Sequence, residues 1–134
     1  MELKLCINSN PKPQPRPRFT KMGSFVKTYD PDKKINDLIK LQFKNQFHGD
    51  LIEAPIEMDI TFFMPIPKAT SKKNRSLMLT NDIKHVKRGD VDNFCKKYLD
   101  CLNEIVYKDD SQIWSLVARK LYSENPRIEI TLNY

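Results

Sequence analysis

Glycine is scarce in this chain, with three in 134 residues. No G-x-x-x-x-G-K-[ST] phosphate loop and no G-x-S-x-G nucleophile turn can be found, so P-loop phosphoryl transfer and serine-hydrolase chemistry have no support. Cysteine is sparse and odd in number: Cys6, Cys95 and Cys101, with no C-x-x-C pair. Cys95 and Cys101 fall on one expected helix, about 240° apart around its axis, and cannot bridge. Free thiols suit a reducing compartment. Two histidines, His48 and His85, are far apart and lack a paired ligand motif, which leaves zinc without a case. No apolar run approaches the length that spans a bilayer. Met1-Glu2-Leu3-Lys4 opens no signal-type apolar region. The expected location is the cytoplasm, with no membrane partner.

What the chain does have is positive charge in one place. The formal net charge is +6 and the pI about 9.2. Between Lys68 and Arg88 stand Lys68, Lys72, Lys73, Arg75, Lys84, Lys87 and Arg88 against one acid, Asp82. Those seven cations less one acid give the segment +6, the whole excess of the chain. A local patch of that kind favours an anionic partner, nucleic acid first. It leads directly into Gly89-Asp90-Val91-Asp92.

The patterning predicts one domain over 1–134, without internal repeat or linker. Glu2–Asn8 alternates as a half-buried strand. Four prolines at alternate positions, 11 to 17, fix an extended basic arm (10–28) with Arg16 and Arg18. The arm ends in a turn at Met22-Gly23-Ser24 and a short strand, 24–29. Asp30-Pro31 reads as the start of a helix that runs to His48-Gly49. Ile56, Met58, Ile60, Phe62 and Met64 alternate along the clearest strand, 55–64. The basic segment 65–89 reads as a loop, with at most a turn of helix at 76–79. A second helix spans 90–104, with Phe94, Tyr98, Cys101 and Leu102 on one side and Asp92, Lys96 and Asp100 on the other. Strands 111–122 and 127–133, separated by Glu124-Asn125-Pro126, read as an antiparallel hairpin. The expected fold class is α/β (α+β): a small mixed sheet with two helices in the order β-α-β-α-β-β.

Asp90 and Asp92 at a helix start have a simple structural explanation, since Asp accepts from the free N–H groups there and opposes the positive helix end. Three features point further. Cations precede the pair, Lys96 follows Asp92 by one helical turn, and a second acidic doublet, Asp109-Asp110, precedes a strand. Lys96 also has an ordinary role open to it, an ion pair with Asp92 or Asp100. Together these residues suit metal-assisted phosphodiester hydrolysis, with carboxylates on Mg2+ and a lysine offsetting developing charge. Lys72, Lys73, Arg75, Lys84, Lys87 and Arg88, supported by Arg16 and Arg18, would grip backbone phosphates without reading sequence.

Arg88-Gly89-Asp90-Val91-Asp92-Asn93-Phe94-Cys95-Lys96, then Leu99-Asp100-Cys101-Leu102-Asn103, then Asp109-Asp110-Ser111-Gln112, resembles the signature of the RusA family of Holliday-junction resolvases. Arg16-Pro17-Arg18-Phe19-Thr20 resembles the arm of Gram-positive and phage members. The resemblance implies a homodimeric, Mg2+-dependent endonuclease, with Mn2+ able to substitute, acting on four-way or branched DNA in a bacterial or phage-infected cell. It places catalytic aspartates at Asp90, Asp92 and Asp110 and the lysine at Lys96, with Asp109 as an alternative or additional ligand. Cys101 departs from the family's small residue, and the basic segment 68–88 has no fixed family counterpart. Other readings of the same residues are a nuclease of flaps or replication intermediates, a DNA-binding module whose acids are helix caps, and a protein that docks partners through its proline arm.

Overall fold

Ile56, Met58, Ile60, Phe62 and Met64 are all buried, and the strand that carries them lies inside the sheet. The computed structural model describes residues 1–15 and 18–134; of residues 18–20, 22, 25, 27 and 28 it describes the backbone. In chain order the elements are β1 (Glu2–Ile7), β2 (Arg18–Met22), β3 (Phe25–Tyr29), α1 (Lys33–Gln46), β4 (Ile56–Pro65), α2 (Lys72–Leu79), α3 (Val91–Leu102), a 3-10 turn (Asp110–Gln112), β5 (Ile113–Ser123) and β6 (Arg127–Asn133). The main sheet has the order β1-β6-β4-β5, and β2 and β3 form a separate antiparallel pair. β4 runs parallel to β5 and antiparallel to β6, and β6 runs antiparallel to β1. The fold is a mixed α+β fold, as expected.

Register explains the core. Ile7, Ile128 and Phe62 stand in one row across the sheet, and Leu5, Ile130 and Ile60 in the next. Phe94, Cys95, Tyr98, Cys101 and Leu102 from α3, with Ile39 and Phe43 from α1, are buried with them. Phe62 meets Phe94 at 5.3 Å and Tyr98 at 5.7 Å between ring centroids. Each such side chain contributes about 1.5–3 kcal/mol on burial. α3 is therefore held by its apolar stripe, which leaves its charged face free.

Five expectations need correction. β5 and β6 are not a hairpin: they lie on opposite sides of β4. β4 is hydrogen-bonded along both edges, to β5 on one and β6 on the other, and it stops at Pro65 beside Ser123. The link Glu124-Asn125-Pro126 can then step past its end. Arg127 braces that step, donating through Nη1 to Asn125 O (2.9 Å) and Ser123 Oγ (3.2 Å) while its guanidinium lies 3.7 Å over the Phe63 ring. Second, there are three helices, because α2 forms inside the supposed loop 65–89; Ser71 Oγ accepts from Asn74 N and caps it. Third, α1 begins at Lys33 rather than Pro31, since Asp30 Oδ1 accepts from Asp32 N in a local turn, and it ends at Gln46, ahead of His48. Fourth, the arm 10–28 contains β2 as well as β3. α3 also ends two residues early, at Leu102.

Candidate active site

Asp90 is the N-cap residue of α3, yet its side chain makes no capping hydrogen bond. The ordinary explanation for an aspartate at that position therefore does not account for its carboxylate. Asp92 is exposed in the first turn. Lys96 follows on the same face, its Nζ 3.3 Å from Asp100 Oδ2. Both groups of that pair are substantially in water, so it holds the lysine by a few tenths of a kcal/mol at most. An incoming phosphate can take the ammonium at little cost.

Opposite α3, β5 supplies the second wall of a cleft of about 410 Å3, lined by Val91, Asp92, Cys95, Lys96, Leu99, Asp110, Leu116 and Ala118. Two carboxylates distant in sequence and the lysine thus share one cavity. Asp90 and Asp109 are not among its lining residues. Burial first, and the Asp92 carboxylate second, raise the Cys95 thiol above its ordinary value, so no thiolate competes as a nucleophile.

Asp110 is delivered by a turn built around Gln112. The Gln112 amide oxygen accepts from Lys108 N (3.0 Å) and Asp109 N (2.9 Å), and its Nε2 donates to Ile52 O (2.8 Å) and Ala54 O (3.0 Å). Asp109 closes the same capping box, its Oδ2 accepting from Ser111 N at 3.1 Å. The Ser111 hydrogen bonds hold its carboxyl below the usual range. Asp109 thus serves the turn, while Asp110 faces the cleft. Gln112 stood in the sequence motif without a role; the capping-box spacing Asp109-x-x-Gln112 was its available signal.

The family model described as endodeoxyribonuclease RusA matches residues 8–133. The chain belongs to the RusA family. It is therefore an endodeoxyribonuclease. A phage member, "Crossover junction endodeoxyribonuclease rusA" of Lactococcus phage r1t, is 28% identical, the match covering 98% of this chain and 95% of the relative. "Uncharacterized protein YqaN" of Bacillus subtilis (strain 168) is 32% identical, over 97% of this chain and 94% of its own length.

RusA nucleases are generally metal-dependent, which asks whether this cleft fits a divalent ion. Among the described residues no three His, Cys, Asp or Glu side chains converge closely enough to hold a metal by themselves. Mg2+ seldom requires that: it keeps several waters and takes one or two carboxylates plus a substrate phosphate. Asp92 and Asp110 in one solvent-open cleft meet this requirement, with the uncapped Asp90 carboxylate at the start of the same helix.

The basic residues sort unevenly in this RusA chain. Lys84, Lys87 and Arg88 are exposed and form no ion pair among the described residues. Lys72 and Lys73 are exposed in the first turn of α2. Arg75 is tied to Glu124 at 3.6 Å. Arg16 lies outside the described residues, as does the side chain of Arg18. The arm itself is anchored on α3: Lys12 N donates to the Tyr98 hydroxyl (3.2 Å) and Gln14 N to Asn93 O (3.1 Å).

Proposed function

We propose that this RusA-family enzyme resolves Holliday junctions by paired, symmetric nicks that depend on Mg2+, with Mn2+ as a substitute. The observation that carries the reading is the convergence of Asp92, Lys96 and Asp110 on one cleft from segments far apart in sequence. Asp92 and Asp110 would hold the ion, with Asp90 completing the set and Asp109 shaping the turn behind it. The ion supplies a Lewis acid for the scissile phosphate and a more acidic water. Lys96 leaves Asp100 for a phosphate oxygen and offsets the charge that develops there. Val91, Leu99, Leu116 and Ala118 give the cleft its apolar wall beside these groups. Lys84, Lys87 and Arg88, with Lys72 and Lys73, hold the DNA backbone and supply affinity rather than sequence preference.

A four-way junction presents two equivalent strands, and a two-fold enzyme matches that symmetry. A second copy has an available surface in the edge strand β5, where Trp114 and Val117 are exposed and no charge occurs from Ile113 to Ala118. Anchoring of the arm on α3 speaks against its use as a free docking peptide. The test compares an immobile four-way junction with flap and linear DNA, for wild type and Asp92→Asn, across Mg2+ concentrations. Wild type should nick the junction preferentially and only with metal, while Asp92→Asn should bind the junction without nicking it. Wild-type nicking by Asp92→Asn would eliminate the assignment, and equal cutting of flaps would redirect it to branched DNA in general.

A further inference from the structure

We propose that Lys120 is a positioning residue for the metal-binding carboxylates, acting through the backbone just before Asp90. The inference rests on the functional reading above and extends it to a residue outside the cleft.

Lys120 breaks the pattern of the sheet. It stands in register with Phe62, Ile128 and Ile7, in a row that is apolar on every other strand and faces the helices. What a lysine adds at such a position is its ammonium. That group turns to the preceding loop: Nζ donates to Gly89 O at 2.9 Å and lies 3.4 Å from Lys87 O. Among the described residues, these are the hydrogen bonds that tether 84–89, since no backbone bond and no other side-chain bond reaches that segment.

The tether acts where it matters for Asp90. Fixing Gly89 O fixes the plane of the Gly89–Asp90 peptide, and hence the direction in which Asp90 leaves the chain. From the other side Gly89 is packed on the Phe94 ring. His85 lies on Tyr122, 4.9 Å between centroids, and so anchors the start of the segment to β5, two residues beyond Lys120. Lys120 thereby joins β5, one wall of the cleft, to the peptide that precedes Asp90 at the start of α3, the helix that forms the other wall. Its ammonium is directed at backbone carbonyls, whereas Lys84 and Lys87 are exposed and make no ion pair among the described residues.

Lys120→Met keeps the aliphatic stem in an apolar row and removes the donor, and Lys120→Arg restores a cation that can reach both carbonyls. Limited trypsin digestion should cut after Lys87 and Arg88 about tenfold faster in Lys120→Met than in wild type, because local opening exposes the segment. The Mg2+ concentration at half-saturation, read from thermal stabilisation and from nicking, should rise about tenfold, as for other groups that orient metal ligands. The nicking rate at saturating Mg2+ and the junction affinity without metal should stay within about threefold, and Lys120→Arg should recover most of both effects. Wild-type proteolysis and Mg2+ dependence in Lys120→Met would overturn the proposal. So would a loss of metal-free junction affinity with unchanged Mg2+ dependence, which would make Lys120 a phosphate contact. If the wild type itself never nicks a junction, the functional reading fails, and the proteolysis contrast still decides the tether. Should Lys120→Met fail to fold, Lys120→Leu, which also lacks a donor, is read the same way.

Discussion

Removing Asp32 should cost this protein more stability than removing the buried lysine it neutralises. Lys97 of α3 has no exposed side-chain surface, and its Nζ donates to Asp32 Oδ2 and Asn36 Oδ1, both at 2.9 Å. The Asp32 side chain keeps 23% of its surface in water. Asp32→Ala therefore leaves an ammonium in the interior with one neutral acceptor, and breaking a buried pair in this way costs about 3–5 kcal/mol. Lys97→Met removes the buried charge, and the aspartate left behind can be hydrated, so the cost falls to about 1 kcal/mol. Asp32 makes no side-chain cap bond to α1, so its removal does not add a lost cap to the total. The double variant should then resemble Lys97→Met, giving a coupling energy of about 3–5 kcal/mol. Urea unfolding followed by circular dichroism, with unchanged m-values, measures all three. If Asp32→Ala proves no more costly than Lys97→Met, the asymmetry of solvation is refuted.

Gly89 has φ +113°, and a Cβ built there would lie 2.6 Å from Phe94 Cε2. Strain and overpacking together should make Gly89→Ala about 2–4 kcal/mol less stable in the same unfolding measurement. Gln112→Glu keeps the shape but turns two donors into an acceptor facing Ile52 O and Ala54 O. It should cost about 1–3 kcal/mol and slow nicking by displacing Asp110, with junction affinity preserved in a gel-shift titration. Burial pushes the Tyr98 hydroxyl from 10.0 up to about 12 and the Cys101 thiol from 9.0 up to about 11. Folded groups with raised values contribute fully below their unfolded values, so the melting temperature should hold below pH 9 and fall as pH rises toward 12; the Tyr98 share is roughly 2 kcal/mol. Tyr98→Phe should flatten the upper part of that decline.

What could be read in the chain was local. The alternation Ile56 to Met64 and the stripe of Phe94, Tyr98, Cys101 and Leu102 each follow from one element meeting one core, and both were legible. The placement of β5 was not. A three-residue turn between two β-rich segments looks the same whether the strands pair with each other or enclose a third. The choice is made by β4, whose backbone donors and acceptors are paired on both edges. Lys97 and Lys120 were invisible for a related reason. Each occupies a position that periodicity assigns to apolar residues, and each is satisfied by a partner more than 30 positions away. Within the site, spacing brought out Asp92, Lys96 and the acidic doublet. The division of labour inside the doublet needed the hydrogen bonds of Asp109 and Gln112.

The position of β4 between β5 and β6 also bears on synthesis. Every ladder of the main sheet has a strand from the segment 113–133 as one partner: β1 meets β6, and β4 meets β5 and β6. On the ribosome, then, a nascent chain that has reached residue 112 owns β1 and β4 but can pair neither. The Ile-Thr-Phe-Phe-Met stretch of β4 waits as an unpaired, aggregation-prone ribbon until the final two strands emerge and close on it from both sides. Folding of the sheet is bound to be late and non-local, and the cleft proposed as the nuclease site, walled by β5, cannot exist before translation of this segment ends.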